Sequence, residues 1–191
     1  AGISAFYDGR RLYYDRRRKR VRILGIDPGI AIVGYGVIDS EREKMRLVAM
    51  GASRTPTGIP VEKRVEMVYD DICEIIDTYK PDCMSVEELF FNTNQKTAIA
   101  VAQARGVILL SAMKKNVDFF EYTPLQVKQS VVGYGRAEKA QVMEMVKIML
   151  SLEKVPKLDD TADALALAIC HAHASQSKIK DFYNLTKKKL L

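Results

Sequence analysis

Four acidic residues have the types and positions that chemistry needs. Asp27 ends a run of mostly apolar residues, and Glu87 follows a second short run, residues 82–86. A carboxylate at the end of a buried strand is costly unless something compensates its charge. Asp160 and Asp163 stand three apart in a stretch of helical periodicity, so they project from one face. Around them Ala162, Ala164, Leu165, Ala166, Leu167 and Ala168 make the helix apolar on nearly every side. Asp163 is therefore expected to face other protein, where neighbouring acids repel unless a cation intervenes. Hard oxygen ligands without a cysteine–histidine set point to Mg²⁺ or Mn²⁺ over zinc. Two such ions held by carboxylates can activate water and stabilise the leaving oxygen in phosphodiester hydrolysis.

Each acid also has a plainer reading. Asp27-Pro28-Gly29 is a good turn sequence. Glu87 could be an exposed strand end. Asp160 and Asp163 lie in a first helical turn, where the dipole favours negative charge. Asp159 and Glu88 are taken as bystanders. His171 and His173 lie two turns further along and read as ordinary helix-end histidines.

The elements that must position these residues follow from periodicity. Residues 21–27 and 32–39 are apolar runs separated by a Pro/Gly break, which suggests a hairpin, and residues 45–53 supply a third strand. Val61, Val65, Val68, Ile72, Ile75 and Ile76 recur at helical spacing until Lys80-Pro81. A short strand is expected at 82–87, a long helix at 92–115 and another strand at 117–122. Thr123-Pro124 offers an N-cap and an N1 proline for a short helix. Further helices are expected at 137–150 and 159–173. The order β-β-β-α-β-α-β-α-α-α implies an α/β fold, a mixed five-stranded sheet flanked by helices.

With 191 residues, 48% hydrophobic, the chain can build one ordinary core. No apolar run approaches the ~20 residues of a membrane span, and no secretory signal opens the sequence. Three cysteines without metal-ligand spacing (Cys73, Cys83, Cys170) suit a reduced, cytoplasmic protein. The formal charge of +6 invites a nucleic-acid partner, yet residues 1–22 carry eight basic and two acidic residues and so account for all of it. Residues 178–191 are lysine-rich as well, leaving the centre mildly acidic. Residues 1–20 read as a basic arm, a flexible extension or an expression-derived leader. Residues 21–177 form the expected folded domain, and 178–191 a basic tail.

Taken together, the segments resemble the RuvC family of Holliday-junction resolvases. The matching residues begin with Gly25-Ile26-Asp27-Pro28-Gly29 and Gly34-Tyr35-Gly36-Val37. Val86-Glu87-Glu88-Leu89-Phe90 and Gln103-Ala104-Arg105-Gly106-Val107 follow, then Val127-Lys128-Gln129 through Gly133 with Ala137-Glu138-Lys139. The last block is Asp160-Thr161-Ala162-Asp163-Ala164-Leu165-Ala166. The resemblance implies an RNase H-like nuclease fold with Asp27, Glu87, Asp160 and Asp163 as metal-binding catalytic acids. It implies Mg²⁺, replaceable by Mn²⁺, with two ions per site. It also implies a homodimer that nicks two strands of like polarity at a four-way junction, in recombination and repair, with RuvA and RuvB as partners. Phe90 matches an aromatic associated with base stacking, and Lys128 and Lys139 match lysines near the DNA. Ala98, Ala102 and Gly106, four apart, present a smooth helix face for the sheet or for a second subunit. Asn92-Thr93-Asn94 departs from the family, many of whose members carry a lysine at the middle position; Lys96 is the nearest substitute.

Two other classes compete. Gly-Ile-Asp-Pro-Gly also resembles the phosphate strand of actin-like ATPases, but 191 residues are too few for that fold's two halves. A non-catalytic junction-binding module has no use for four mutually repelling acids.

Overall fold

The apolar run that begins at Val21 becomes the central strand of a five-stranded sheet. The computed structural model describes residues 20–42, 44–88 and 95–176. The strands are β1 (Val21–Asp27), β2 (Ile32–Glu41), β3 (Lys44–Arg54), β4 (Cys83–Glu87) and β5 (Asp118–Tyr122). They lie in the order β3-β2-β1-β4-β5. The first three form an antiparallel meander, and β4 and β5 add in parallel on the other side of β1. The hairpin strands run past their expected ends because the β2–β3 ladder continues to Glu41 opposite Lys44. The mixed five-stranded sheet therefore stands as expected, in the expected element order.

Strand alternation sends successive side chains to opposite faces. Leu24, Ile26, Met84 and Val86 point to one face, where α1 (Val61–Tyr79) contributes Val68, Ile72 and Ile76 and α2 (Gln95–Lys114) contributes Ile108 and Ala112. Ile23, Ile38 and Cys83 point to the other face. Against them pack α3 (Pro124–Val132), α4 (Lys139–Met149) and α5 (Asp159–Gln176). The first helix stops at Lys80, which turns left-handed at φ 50° before Pro81. Thr123 caps α3 as expected, in a reciprocal capping box with Gln126. Glu138 and Gln141 form a similar box, which moves the start of α4 from Ala137 to Lys139. The long helix is described from Gln95, so its expected start at 92 lies outside the described residues, as do residues 1–19, 89–94 and 177–191.

Helix α5 is the central element of the second layer. From Ala164 to Ala168 it is fully buried, and it lies almost on the backbone of β1 and β2. A methyl group on Gly25 would collide with the Ala164 carbonyl, one on Gly34 with the Asp160 carbonyl, and one on Gly36 with the Leu165 side chain. Gly25 and Gly36 are opposite each other in the ladder, so the three glycines form a shallow track. Ser85 of β4 completes the seat by donating to the Leu167 carbonyl at 2.8 Å. At the far end of the sheet Asp39, 4% exposed, accepts from Arg22 Nε at 2.8 Å and Nη2 at 3.1 Å. Arg46 and Arg20 complete that network at 3.3 and 3.5 Å.

Candidate active site

The same glycine track fixes where the acids meet. Asp27 pairs with Gly34, whose Cα side is covered by the Asp160 backbone. Two residues beyond Gly25, Asp27 projects to the α5 face; two beyond Ser85, Glu87 projects likewise. The parallel register aligns Ile26 with Val86, so these two carboxylates leave adjacent strands side by side. Asp160 in the first turn of α5 and Asp163 one turn further along come near enough for both to act electrostatically on Asp27.

Electrostatics records the convergence. The Asp27 carboxyl is pushed up to about 7, first by burial, then by Glu87, Asp163 and Asp160. Burial and Asp163 raise Glu87 above the ordinary carboxylate range. Burial raises Asp163 too, against the opposing pull of Lys139. Such elevation means that Asp27, Glu87 and Asp163 resist being charged together, and a cation relieves it. Asp159 adds to the rise at Asp163. Its side chain is 61% exposed and pairs with Lys139 Nζ at 3.2 Å.

Lys139 stands at the first position of α4, where a cation opposes the helix dipole. The position is offset by its ion pairs, with Asp163 at 3.1 Å and with Asp159. A lysine kept at an unfavourable helix position among acids suits a charge-handling role better than a structural one. Lys128 is half-buried on α3 and, among the described residues, makes no ion pair with the four acids. Phe90 lies outside the described residues.

The donor set fits a hard divalent ion: four carboxylates, no soft ligand, and a shared excess of negative charge. Among the described residues no three of these side chains close into a finished metal cage. The ammonium of Lys139 lies 3.1 Å from a carboxylate oxygen of Asp163. No histidine belongs to the set. His171 is buried, stacks on Phe120 at 4.2 Å and shares a 2.7 Å hydrogen bond with the Tyr122 hydroxyl. His173 meets Ser130.

Two features had no reading in the sequence. One is the glycine track; its signal was small residues facing each other across two paired strands. The other is Arg105. Its Nε donates to the Glu87 carbonyl at 3.2 Å, and its guanidinium pairs with Glu121.

Comparison with known proteins shows the family. A family model described as crossover junction endodeoxyribonuclease RuvC matches residues 23–171. The protein of that name from Clostridioides difficile (strain 630) is 58% identical over 154 residues, covering 81% of this chain and 91% of its own length. That from Alkaliphilus oremlandii (strain OhILAs) is 57% identical over 151 residues, covering 79% and 92%. The structure of Thermus thermophilus RuvC in complex with Holliday junction substrate superposes with a TM-score of 0.78 at 34% identity, covering 82% of this chain and 95% of that one. The fold is RNase H-like. On the match across nearly the whole described domain, the chain belongs to the RuvC family of crossover junction endodeoxyribonucleases.

Proposed function

We propose that this protein resolves four-way DNA junctions by metal-dependent phosphodiester hydrolysis, in recombination and DNA repair. The observation that carries the reading is the meeting of Asp27, Glu87, Asp160 and Asp163 on one face of the sheet, each carboxyl of the first two held above its ordinary range. These four residues would hold Mg²⁺, or Mn²⁺ in its place, two ions to a site. When bound, the ions supply Lewis acidity, a nucleophile at neutral pH and charge relief for the leaving oxygen.

The rest of the work falls to the chain itself. Asp27 and Glu87, fixed on neighbouring strands, present oxygens that cannot drift apart. The N-terminal two turns of α5 bring Asp160 and Asp163 toward them from the other layer. Lys139 neutralises Asp163 and Asp159 in the absence of substrate and turns to a phosphate when DNA arrives. Lys128 adds a second phosphate contact, and Phe90 stacks on an unpaired base. Stacking tolerates any base and is worth ~1–3 kcal/mol.

A homodimer would place two sites on one junction. Support comes from α2, where Ile99, Leu110 and Met113 are exposed at helical spacing and Gly106 between them has open space beyond its Cα. The stripe runs through 99, 106, 110 and 113, sharing Gly106 with the Ala98, Ala102 and Gly106 face read from spacing but turned from Ala98 and Ala102 toward Leu110. RuvA and RuvB are the proposed partners for branch migration. A cytoplasmic setting suits three cysteines that form no disulfide, and among the described residues no helix is long and apolar enough to cross a membrane. The proposed organisation is a basic arm at 1–20, a folded domain at 21–177 and a basic tail at 178–191.

The test is cleavage of a synthetic four-way junction against a linear duplex of the same sequence, with Mg²⁺ or with EDTA. Paired nicks on strands of like polarity, confined to the junction and lost with EDTA, are expected. Equal cutting of the linear duplex, or cutting in EDTA, would overturn the proposal.

A further inference from the structure

The β4–β5 ladder ends at Glu87 opposite Tyr122, with Glu88 N–H donating to the Tyr122 carbonyl at 2.9 Å. The next N–H on the β5 side, that of Thr123, is taken by Gln126 Oε1 in the α3 capping box at 2.8 Å. The residue that carries a candidate metal-binding carboxylate therefore sits where the sheet runs out of partners. From the opposite face of the sheet, α2 sends Arg105 to this point. Its Nε donates to the Glu87 carbonyl at 3.2 Å, while its terminal nitrogen pairs with Glu121, the residue aligned with Val86. The side chain is 14% exposed, and a guanidinium is buried at a cost unless its geometry is used.

We infer that Arg105 is a positioning residue that locks the end of β4, and thereby the Glu87 carboxylate, through a planar fork shared between the Glu87 carbonyl and Glu121. The inference rests on Glu87 being a metal ligand. Arg105 lies on the face away from the acids, so its effect passes through the backbone of Glu87. Outer partners of this kind change metal affinity or activity by about 10–100-fold when removed. Lysine can keep the ion pair with Glu121 but cannot span both acceptors as a rigid fork. The substitution Arg105→Lys therefore separates holding the strand end from merely balancing charge.

The experiment uses the full chain and four readouts. They are Mn²⁺ binding without DNA by isothermal titration calorimetry, junction binding in EDTA, single-turnover junction cleavage, and the thermal midpoint. For Arg105→Lys the expected result is Mn²⁺ affinity and cleavage rate each lower by about tenfold, with junction binding and midpoint close to native. Glu121→Gln, which frees one arm of the fork, should weaken Mn²⁺ binding in the same direction by less, and it serves if Arg105→Lys fails to fold. Native Mn²⁺ binding in both variants would overturn the inference, as would loss of junction binding in step with cleavage. Glu87→Gln is the separate control: undiminished cleavage there removes the metal-ligand reading itself, whatever Arg105 does.

Discussion

Asp27 and Asp39 lie on the paired strands β1 and β2 and show how opposite surroundings give one residue type opposite uses. Asp27 is buried among acids and driven up to about 7; Asp39 is buried among arginines and held below its ordinary value, chiefly by hydrogen bonding to Arg22. The first suits cation binding and the second suits structure. A carboxyl whose folded value is depressed contributes stability above its unfolded range near pH 4, and loses it as pH falls through the folded value. Asp39→Asn should therefore cost about 2 kcal/mol at pH 7, read by urea denaturation, and the gap to the native protein should narrow below pH 4. A gap that stays constant down to pH 2 would mean that Asp39 acts through packing alone. The four candidate acids could be singled out from residue type and position. The bond from Arg105 to a backbone carbonyl was not, because the sequence carries no mark of which carbonyl lacks a partner.

At the scale of elements, periodicity identified every strand and helix of the described domain, and capping residues fixed several boundaries. The start of α4 moved by two residues because Glu138 served as its cap, a role less common for glutamate than for serine or aspartate. What periodicity could not supply was the depth at which α5 sits. That depth depends on Gly25, Gly34 and Gly36 having no side chain on the inner face, a pairing visible only once β1 and β2 are in register. It also sets the chemistry, since a helix lifted by one methyl layer would carry Asp160 and Asp163 away from Asp27. Gly25→Val should destabilise the fold by about 3 kcal/mol or more, measured by thermal or denaturant unfolding. A variant that unfolds like the native protein would show that α5 is not seated on β1 as described.

Among the described residues, the molecule presents acids on one face and an exposed apolar stripe on α2. Composition alone misdirected the charge argument: the basic excess lies in residues 1–22, whereas the site is acidic and would attract DNA only with cations bound. Even within that excess, Arg22 belongs to β1 and is neutralised by Asp39. The proposed dimer face was only partly legible, because three small residues spaced by four do not say which side of the helix remains open. Leu110→Lys should convert the protein to a folded monomer by light scattering and turn paired nicks into unpaired ones; an unchanged dimer would place the interface elsewhere. The central claim is that four carboxylates from two layers form one hydrolytic site. It is tested most directly by measuring junction cleavage and junction binding side by side for Asp27→Asn, Glu87→Gln, Asp160→Asn and Asp163→Asn. Each variant should bind the four-way junction as the native protein does and cut it at least ~100-fold more slowly in Mg²⁺. Near-native cutting by any one of them, or loss of binding together with cutting, would contradict the assignment.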